Sequence, residues 1–429
     1  MFDYNSYHFI GIGGIGISAI ARMLYLRGKK VSGSDNSESE ITEDLKKLGI
    51  PVSIGHKAEN LSKEAEAVIY TIAIPEENPE LKEAQKRKIA CVSYPEALGE
   101  LSKKMFTIAI SGTHGKTTTT AMVGHILKKA GLDPTIIVGS KMLGGTKEES
   151  TNFIAGKSQH LIVEACEYQR SFLNLYPQIL VITNIDADHL DYYKDIYDIQ
   201  NAFRELASQV SKEGRIIANM SEQNTKKALA SAGAPVINYN SATDDIKIFL
   251  PGEHNVLNAK AAIAVAEVIG LHKTQALKYL EDFKGTWRRL EYKGEKNSDV
   301  FYDDYAHHPA EIRASLLALK QIHQDREIVC VFEPHQQGRT KIMFDDFVNT
   351  LKIADRVFIA PIFITREIAD NSVSNKTLAE AVNKFTLSSP IENPNQLKME
   401  LNNNDSSRPR CIVLMGAGDI YKWTSTLMA

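Results

Sequence analysis

Cysteine is scarce in this 429-residue chain: Cys91, Cys166, Cys330 and Cys411 are scattered, none at CxxC spacing, and three lie inside apolar, strand-like runs. A disulfide scaffold and a cysteine-built metal centre are thereby excluded. Together with a start that runs straight into an apolar strand with no leader, the pattern predicts a protein of the reducing cytoplasm. No apolar stretch approaches the ~20 residues needed to span a bilayer. Long basic runs are also missing and the net charge is −3, so nothing marks a nucleic-acid footprint or a membrane-surface patch. Small anionic ligands would need locally placed cations. Low-complexity tracts and short internal repeats are absent. What is present is a globular composition, 43% apolar and 24% charged, in a chain long enough for roughly three domains.

Apolar runs of strand length alternate with amphipathic helical runs. Strands are predicted at 7–12, 30–33 and 67–72, with a helix over 16–27, which is a βαβ pattern and implies a parallel sheet. Pro95 and the polar stretch 99–104 then mark a boundary. A second α/β domain is predicted through strands at 106–110, 161–164, 179–183 and 215–218 and an apolar helix after Asn258. The polar stretch 293–298 is a second punctuation, followed by strands at 300–304, 327–332, 356–361 and 411–418. Three α/β domains in series result, over 1–103, 104–297 and 298–429.

The densest chemistry lies at Gly112-Thr-His-Gly-Lys-Thr117. A buried strand precedes it and a helix over 117–130 follows. Gly112 and Gly115 let backbone N–H groups converge on an anion at the positive end of that helix. Lys116 adds a cation, and the Thr117 hydroxyl can reach a bound Mg²⁺. This is a cradle for a nucleotide triphosphate, although Ile110 stands where the generic GxxxxGK[ST] loop has its first glycine.

Gly11-Ile-Gly-Gly-Ile-Gly16 likewise follows a strand and opens a helix, and Asp35 stands near the end of the next strand, where a ribose hydroxyl would be met. This fits a nucleotide-like pyrophosphate without choosing NAD or a UDP-sugar; a bare glycine turn for helix packing is the plain alternative. Glu164 ends an apolar strand. Another is followed by Asp186, Asp188, His189 and Asp191. In a parallel sheet these groups gather on the Lys116 edge, where hard oxygens suit Mg²⁺ with histidine as an occasional ligand. Asn255 and Asn258 either recognise an adenine edge or cap a helix. Asp303-Asp-Tyr-Ala-His-His-Pro309 and Glu333-Pro-His-Gln-Gln-Gly-Arg339-Thr each follow an apolar strand. Arg339 offers a fork for carboxylate or phosphate, or is a surface residue.

Taken in order, these segments, with Glu164-Ala-Cys-Glu-Tyr, Thr183-Asn-Ile-Asp-Ala-Asp-His189 and Arg288-Arg-Leu, resemble the Mur ligase family, the ATP-dependent amide-forming enzymes of peptidoglycan precursor synthesis. The resemblance covers nearly the whole chain. It implies a Rossmann-like N-terminal domain holding the UDP part of UDP-N-acetylmuramate through Gly11, Gly13, Gly14, Gly16 and Asp35. It implies a central, P-loop ATPase-like domain with a mostly parallel sheet that binds ATP and Mg²⁺. There Gly112, Thr113, His114, Gly115, Lys116, Thr117 and Thr118 meet the phosphates, Thr117, Glu164 and His189 lie near the metal, and Asn255 and Asn258 lie at the adenine. Arg289 and Asp304 would contact the nucleotide. A Rossmann-like C-terminal domain would present Tyr305, His307 and Arg339 to L-alanine.

The implied chemistry is conversion of the lactyl carboxylate to an acyl phosphate by ATP, then attack by the amine, with His307 as its base or as a hydrogen-bonding partner. Two departures stand out. Gln336 replaces an arginine that some members place after the Pro-His pair, while Lys341 keeps a second basic group. The carbamylated lysine of several sister ligases has no assignable counterpart here. Rival readings are a recycling ligase that takes a preformed tripeptide, an NAD-dependent oxidoreductase suggested by the first glycine turn alone, and a non-catalytic nucleotide switch.

Overall fold

Three β-sheets carry the described residues. The computed structural model describes residues 2–144, 150–190, 192–241, 246, 248–364, 372–403 and 408–429. The first sheet contains β1 (Ser6–Ile10), β2 (Lys30–Asp35), β3 (Val52–Ile54), β4 (Ala67–Tyr70) and β5 (Ala90–Ser93), all parallel in the order β3-β2-β1-β4-β5. The order switches direction at β1, so the turn after β1 opens into the crevice at the carboxyl ends of the strands.

The second sheet contains β6 (Phe106–Ser111), β7 (Thr135–Met142), β8 (Thr151–Ile154), β9 (His160–Glu164), β10 (Ile179–Ile182), β11 (Arg215–Ala218) and β12 (Val236–Asn238). Its order is β12-β11-β10-β6-β9-β7-β8, parallel except for the β7–β8 pair. Every residue of β10 is buried, which is why a strand covered on both faces reads as an unbroken apolar run. The third sheet contains β13 (Glu291–Lys296), β14 (Asp299–Asp304), β15 (Glu327–Phe332), β16 (Arg356–Ile359), β17 (Leu387–Pro390) and β18 (Arg410–Met415), ordered β13-β14-β18-β15-β16-β17. Only its β13–β14 pair is antiparallel.

The chain divides into two compact units, Met1–Lys247 with Leu257–Lys284, and Ile248–Val256 with Gly285–Ala429. In the first unit one core runs through both sheets, from Phe9, Ile20 and Met23 to Phe172, Leu180 and Phe203. In the second, Ile328, Cys330 and Phe332 of β15 enter one apolar cluster while Val329 and Val331 enter another, so both faces of that sheet are covered.

Two expectations are corrected. The polar stretch 293–298 is not a break between domains but the second half of β13 and the turn into β14. Lys296 pairs with Asp299, and Asn297 and Ser298 both take positive φ (49° and 68°), the paired left-handed turn that matches hairpin twist. Polarity there marks a turn within one sheet. The alanine-rich helix also begins earlier than predicted: left-handed Gly252 (φ 96°) precedes it and the helix runs Glu253–Val268, so Asn255 and Asn258 sit on its opening turns, not ahead of it.

A buried polar knot fixes the end of β2. Glu80 is fully buried and accepts from Ser34 Oγ (2.6 Å), Asn60 Nδ2 (2.8 Å) and Lys57 N (3.1 Å). His8 Nε2 lies 2.8 Å and His56 Nδ1 3.3 Å from its oxygens. Burial pushes this carboxyl up, but the hydrogen bonds, His8 foremost, more than offset it and hold it at about 2. The Ser34 carbonyl in turn accepts from Gly11 N (2.8 Å) and Ile12 N (2.9 Å), so the knot braces the first glycine turn.

Glu80→Gln is expected to destabilise the protein by about 3 kcal/mol at pH 7, the cost of breaking a buried charged cluster. A carboxyl held below its unfolded value of 4.5 contributes stability that is complete above that pH and is lost as pH falls toward 2. Urea unfolding at pH 7 and pH 3.5 should therefore show a smaller gap between parent and variant at the lower pH. Equal stability at pH 7 would show the knot to be inert.

Candidate active site

Between β6 and the helix Lys116–Lys129, the backbone turns through two left-handed glycines, Gly112 (φ 132°) and Gly115 (φ 83°). Space demands glycine there as well: a Cβ would stand 2.0 Å from Thr183 Oγ1 at Gly112 and 2.4 Å from Asn258 Oδ1 at Gly115. The segment after β10 forms the floor of the loop. Thr113 N donates to Asn184 O (3.0 Å) and His114 N to Asn184 Oδ1 (2.9 Å), while the His114 carbonyl accepts from Thr183 Oγ1 (2.6 Å) and Asn184 Nδ2 (3.0 Å). Thr118 is buried in the first turn, and no side chain caps the start of this helix. Its N–H groups and positive end form an anion site.

Lys116 Nζ donates to Gly112 O (2.5 Å) and Thr113 O (2.9 Å), and lies 3.0 and 2.9 Å from the two oxygens of buried Glu167. Burial pulls the ammonium down, yet the Glu167 charge outweighs it and the group is held above its ordinary value. Thr117 Oγ1 donates to Glu164 Oε1 (3.0 Å), and Glu164 Oε2 accepts from Gly139 N (2.7 Å). Thr117 and Glu164 are thus brought together. His189 approaches Glu167 instead: its Nε2 is 3.8 Å from Glu167 Oε1 and its ring lies 4.9 Å from that of Tyr168.

Glu167 entered the sequence reading only within Glu164-Ala-Cys-Glu-Tyr, with no role assigned to it. Lying beyond the end of β9, it has no periodic signal, and only the return of the chain to Lys116 reveals it. Asp188 Oδ1 accepts from His189 N (2.7 Å), Asp186 Oδ2 lies 3.5 Å from His114 Nε2, and Asp191 lies outside the described residues. Asn258 Oδ1 accepts from Thr119 Oγ1 (3.2 Å), whereas Asn255 Nδ2 donates to Pro251 O (2.8 Å).

On the first sheet, Gly11 (φ 78°) turns the chain after β1 and Gly14 caps the helix Ile15–Leu26 without a side-chain bond. Asp35 Oδ2 accepts from Gly13 N (2.8 Å), so this carboxylate braces the turn it was expected to accompany. A cavity of about 380 Å³ runs from this turn to Glu164, lined by Gly14, Gly16, Tyr94, Gly139 and Tyr168 among others.

In the second unit, the loops after β14 and β15 bring Tyr305, His307 and His335 together, with ring centroids 5.4 Å (305–307) and 5.9 Å (307–335) apart. His307 Nδ1 lies 3.1 Å from Tyr305 O and 3.5 Å from Glu311 Oε2. Both neighbours accept, which places the proton on Nδ1 and leaves Nε2 as the basic nitrogen. Arg339 is half-buried on the short helix Gln337–Ile342 that follows β15. The Arg289 guanidinium lies over the Tyr305 ring at 5.1 Å and 3.6 Å from Glu311. Asp304 accepts from Ala306 N (3.1 Å) and Ser315 Oγ (2.5 Å), and burial lifts it to about 6.

Residues 6–105 match the profile "Mur ligase family, catalytic domain", 110–246 the "Mur ligase middle domain" and 288–418 the "Mur ligase, glutamate ligase domain". A UDP-N-acetylmuramate--L-alanine ligase of Clostridium acetobutylicum is 42% identical over 97% of this chain and 95% of its own length. The chain belongs to the Mur ligase family. A counterpart of the same name from Clostridium tetani is 40% identical over 98% of each chain. Among solved structures, the UDP-N-acetylmuramate-alanine ligase of Thermotoga maritima matches with a TM-score of 0.81 and 27% identity over 98% of each chain. A murein peptide ligase of Psychrobacter arcticus, at 22% identity, shares the fold with a TM-score of 0.71 over 98% of each chain. This Mur ligase is an ATP-using, ADP-forming enzyme that makes amide bonds on a three-domain α/β fold, and the oxidoreductase and binding-module readings of its glycine turns fall away.

Lys116→Ala is expected to cut ADP release by about 10²–10³, the loss typical of removing a charge that stabilises a transition state. The single substitution also strands buried Glu167 and should cost about 3–5 kcal/mol of stability. Adding Glu167→Gln should restore much of the melting temperature but none of the turnover. Turnover returning with stability would make Lys116 a purely structural residue.

Proposed function

We propose that this Mur ligase joins L-alanine to the lactyl carboxylate of UDP-N-acetylmuramate, releasing ADP and phosphate, in the cytoplasm where its nucleotide substrates are found. The observation that carries the reading is the continuous cavity from the Gly14–Gly16 turn to Glu164. A nucleotide-sugar with its pyrophosphate at one helix start can extend its carboxylate to the phosphate cradle of the other. The names of the relatives at about 40% identity over nearly full length supply the substrate and the amine.

The assignment of parts follows. The first sheet, over roughly 1–103, holds the UDP-sugar through Gly11, Gly13, Gly14, Gly16 and Asp35. The second sheet binds ATP. The third, with its boundary moved ahead of the β13–β14 hairpin, receives the amino acid through Tyr305, His307 and Arg339. The Thr117 hydroxyl and the Glu164 carboxylate, hard oxygens 3.0 Å apart, fit a Mg²⁺ ion. When bound, that ion supplies positive charge to the phosphates; among the described residues no helix is long and apolar enough to cross a membrane.

A carboxylate is a poor acyl donor because its leaving group would be oxide. Its oxygen therefore attacks the γ-phosphorus of ATP, ADP leaves, and an acyl phosphate forms. Such transfers ask the protein for positioning and neutralised charge, which Lys116 and the helix start at Gly115 provide. The neutral amine of L-alanine then attacks the acyl carbon, the tetrahedral intermediate expels phosphate, and the amine proton passes to Nε2 of His307. Arg339 pairs with the amino acid's carboxylate.

Supplied with ATP, Mg²⁺ and UDP-N-acetylmuramate, the enzyme should release ADP faster with L-alanine than with L-alanyl-γ-D-glutamyl-meso-diaminopimelate. The opposite order would replace this reading with that of a tripeptide-recycling ligase. Arg339→Ala should raise the KM for L-alanine about 10- to 100-fold, as loss of a charged hydrogen-bond pair does, with the KM for ATP nearly unchanged. Glu164→Gln should shift the Mg²⁺ activation curve to higher concentration, and an overlay of the two curves would make Glu164 structural.

A further inference from the structure

The cavity between the first glycine turn and Glu164 is walled in part by Tyr94, whose ring packs on the core of the first unit while its hydroxyl has no role in the chemistry above. Tyr94 opens the helix Tyr94–Lys103, and a reciprocal capping box between Ser93 and Glu96, with Pro95 in the first turn, fixes its backbone. Its ring forms part of the cavity wall beside Gly16, Leu98 and Phe172. The hydroxyl reaches so far over the start of the helix Ile15–Leu26 that a Cβ at Gly16 would stand 2.6 Å from it. Only glycine at 16 accommodates tyrosine at 94. Tyr94 is half-buried, and among the described residues its hydroxyl has no hydrogen-bond partner. Phenylalanine would fill the same wall without that omission.

We propose that Tyr94 is a specificity-determining residue of the ligase reaction, its hydroxyl donating a hydrogen bond to a sugar or phosphate oxygen of the nucleotide-sugar as it passes from the Gly14–Gly16 turn to Glu164. The inference rests on the proposed function, since it requires a substrate whose two ends occupy the two ends of this cavity. Desolvation, reinforced by the negative charge of Glu164, holds the phenol well above its ordinary value, so it stays a donor throughout the working pH range. Gly16 offers it no side-chain acceptor and it bonds none of the polar side chains that share the lining, such as Thr71, Glu164 and Ser171, which leaves a ligand oxygen in the cavity as its acceptor.

The test is Tyr94→Phe, which removes the hydroxyl and keeps the ring. Titration calorimetry with UDP-N-acetylmuramate, without ATP, should show a Kd raised about three- to tenfold, the worth of one neutral hydrogen bond. Steady-state assays should show the same rise in KM for the nucleotide-sugar, with KM for ATP and L-alanine within about twofold of the parent and an unchanged melting temperature. A merely structural role would move the melting temperature and leave Kd alone. A variant that binds the nucleotide-sugar as tightly as the parent overturns the proposal. A parent that neither binds it nor releases ADP in its presence overturns the proposed function instead.

Discussion

A buried ammonium between two backbone carbonyls and a buried carboxylate is the constraint on which the catalytic edge of the central sheet depends. Lys116 cannot lie beside Gly112 O, Thr113 O and Glu167 unless the chain between β6 and its helix turns through left-handed backbone at Gly112 and Gly115. That turn in turn needs the Thr183–Asn184 floor, which fills the space a side chain would otherwise take. Glu167 keeps the lysine charged at the cost of its own burial. Such a pair adds little net stability compared with apolar packing, but losing one partner strands the other. The loop's chemistry and its folding are therefore not separable by a single substitution.

Parallel topology does the rest of the positioning in the first unit. Strands that run the same way deliver every following loop to one edge, so a glycine turn after β1 and a glycine turn after β6 open toward the same side of their sheets. The shared core beneath them, from Phe9 to Phe203, makes the two edges a single surface with a cavity between. Within that surface, polar side chains are spent on bracing: Asp35 on Gly13, Asn258 on Thr119, Glu80 on Ser34. What is left facing the cavity is a short set, Glu164 and Tyr94 among them. In the second unit the same economy holds, where Asp304 secures the turn that presents Tyr305 and His307.

The errors of the sequence reading share a cause. The polar run at 293–298 read as a punctuation between domains because polarity reports solvent exposure, and the solvent-facing end of a hairpin is as polar as a boundary. The stretch 252–258 was placed ahead of the helix, since a helix start with no Ser, Thr, Asp or Asn at the cap offers no capping signal. Glu167 was given no role and Tyr94 was passed over because the surroundings of each, Lys116 for one and Gly16 for the other, are distant in sequence.

By itself, then, the sequence determined the local events: which runs are buried strands, where glycine must bend the chain toward an anion, and, through an ordered set of motifs, which family the chain belongs to. These depend on neighbours within a turn or two, whose periodicity and backbone freedom are written in residue order. Only the tertiary structure decided that Glu167 neutralises Lys116, that His189 faces Glu167, that Asp35 holds Gly13, and that Tyr94 overhangs Gly16. Each of these pairs residues whose separation along the chain carries no period, and only the packing of sheets and helices brings their charges and hydroxyls within hydrogen-bond range.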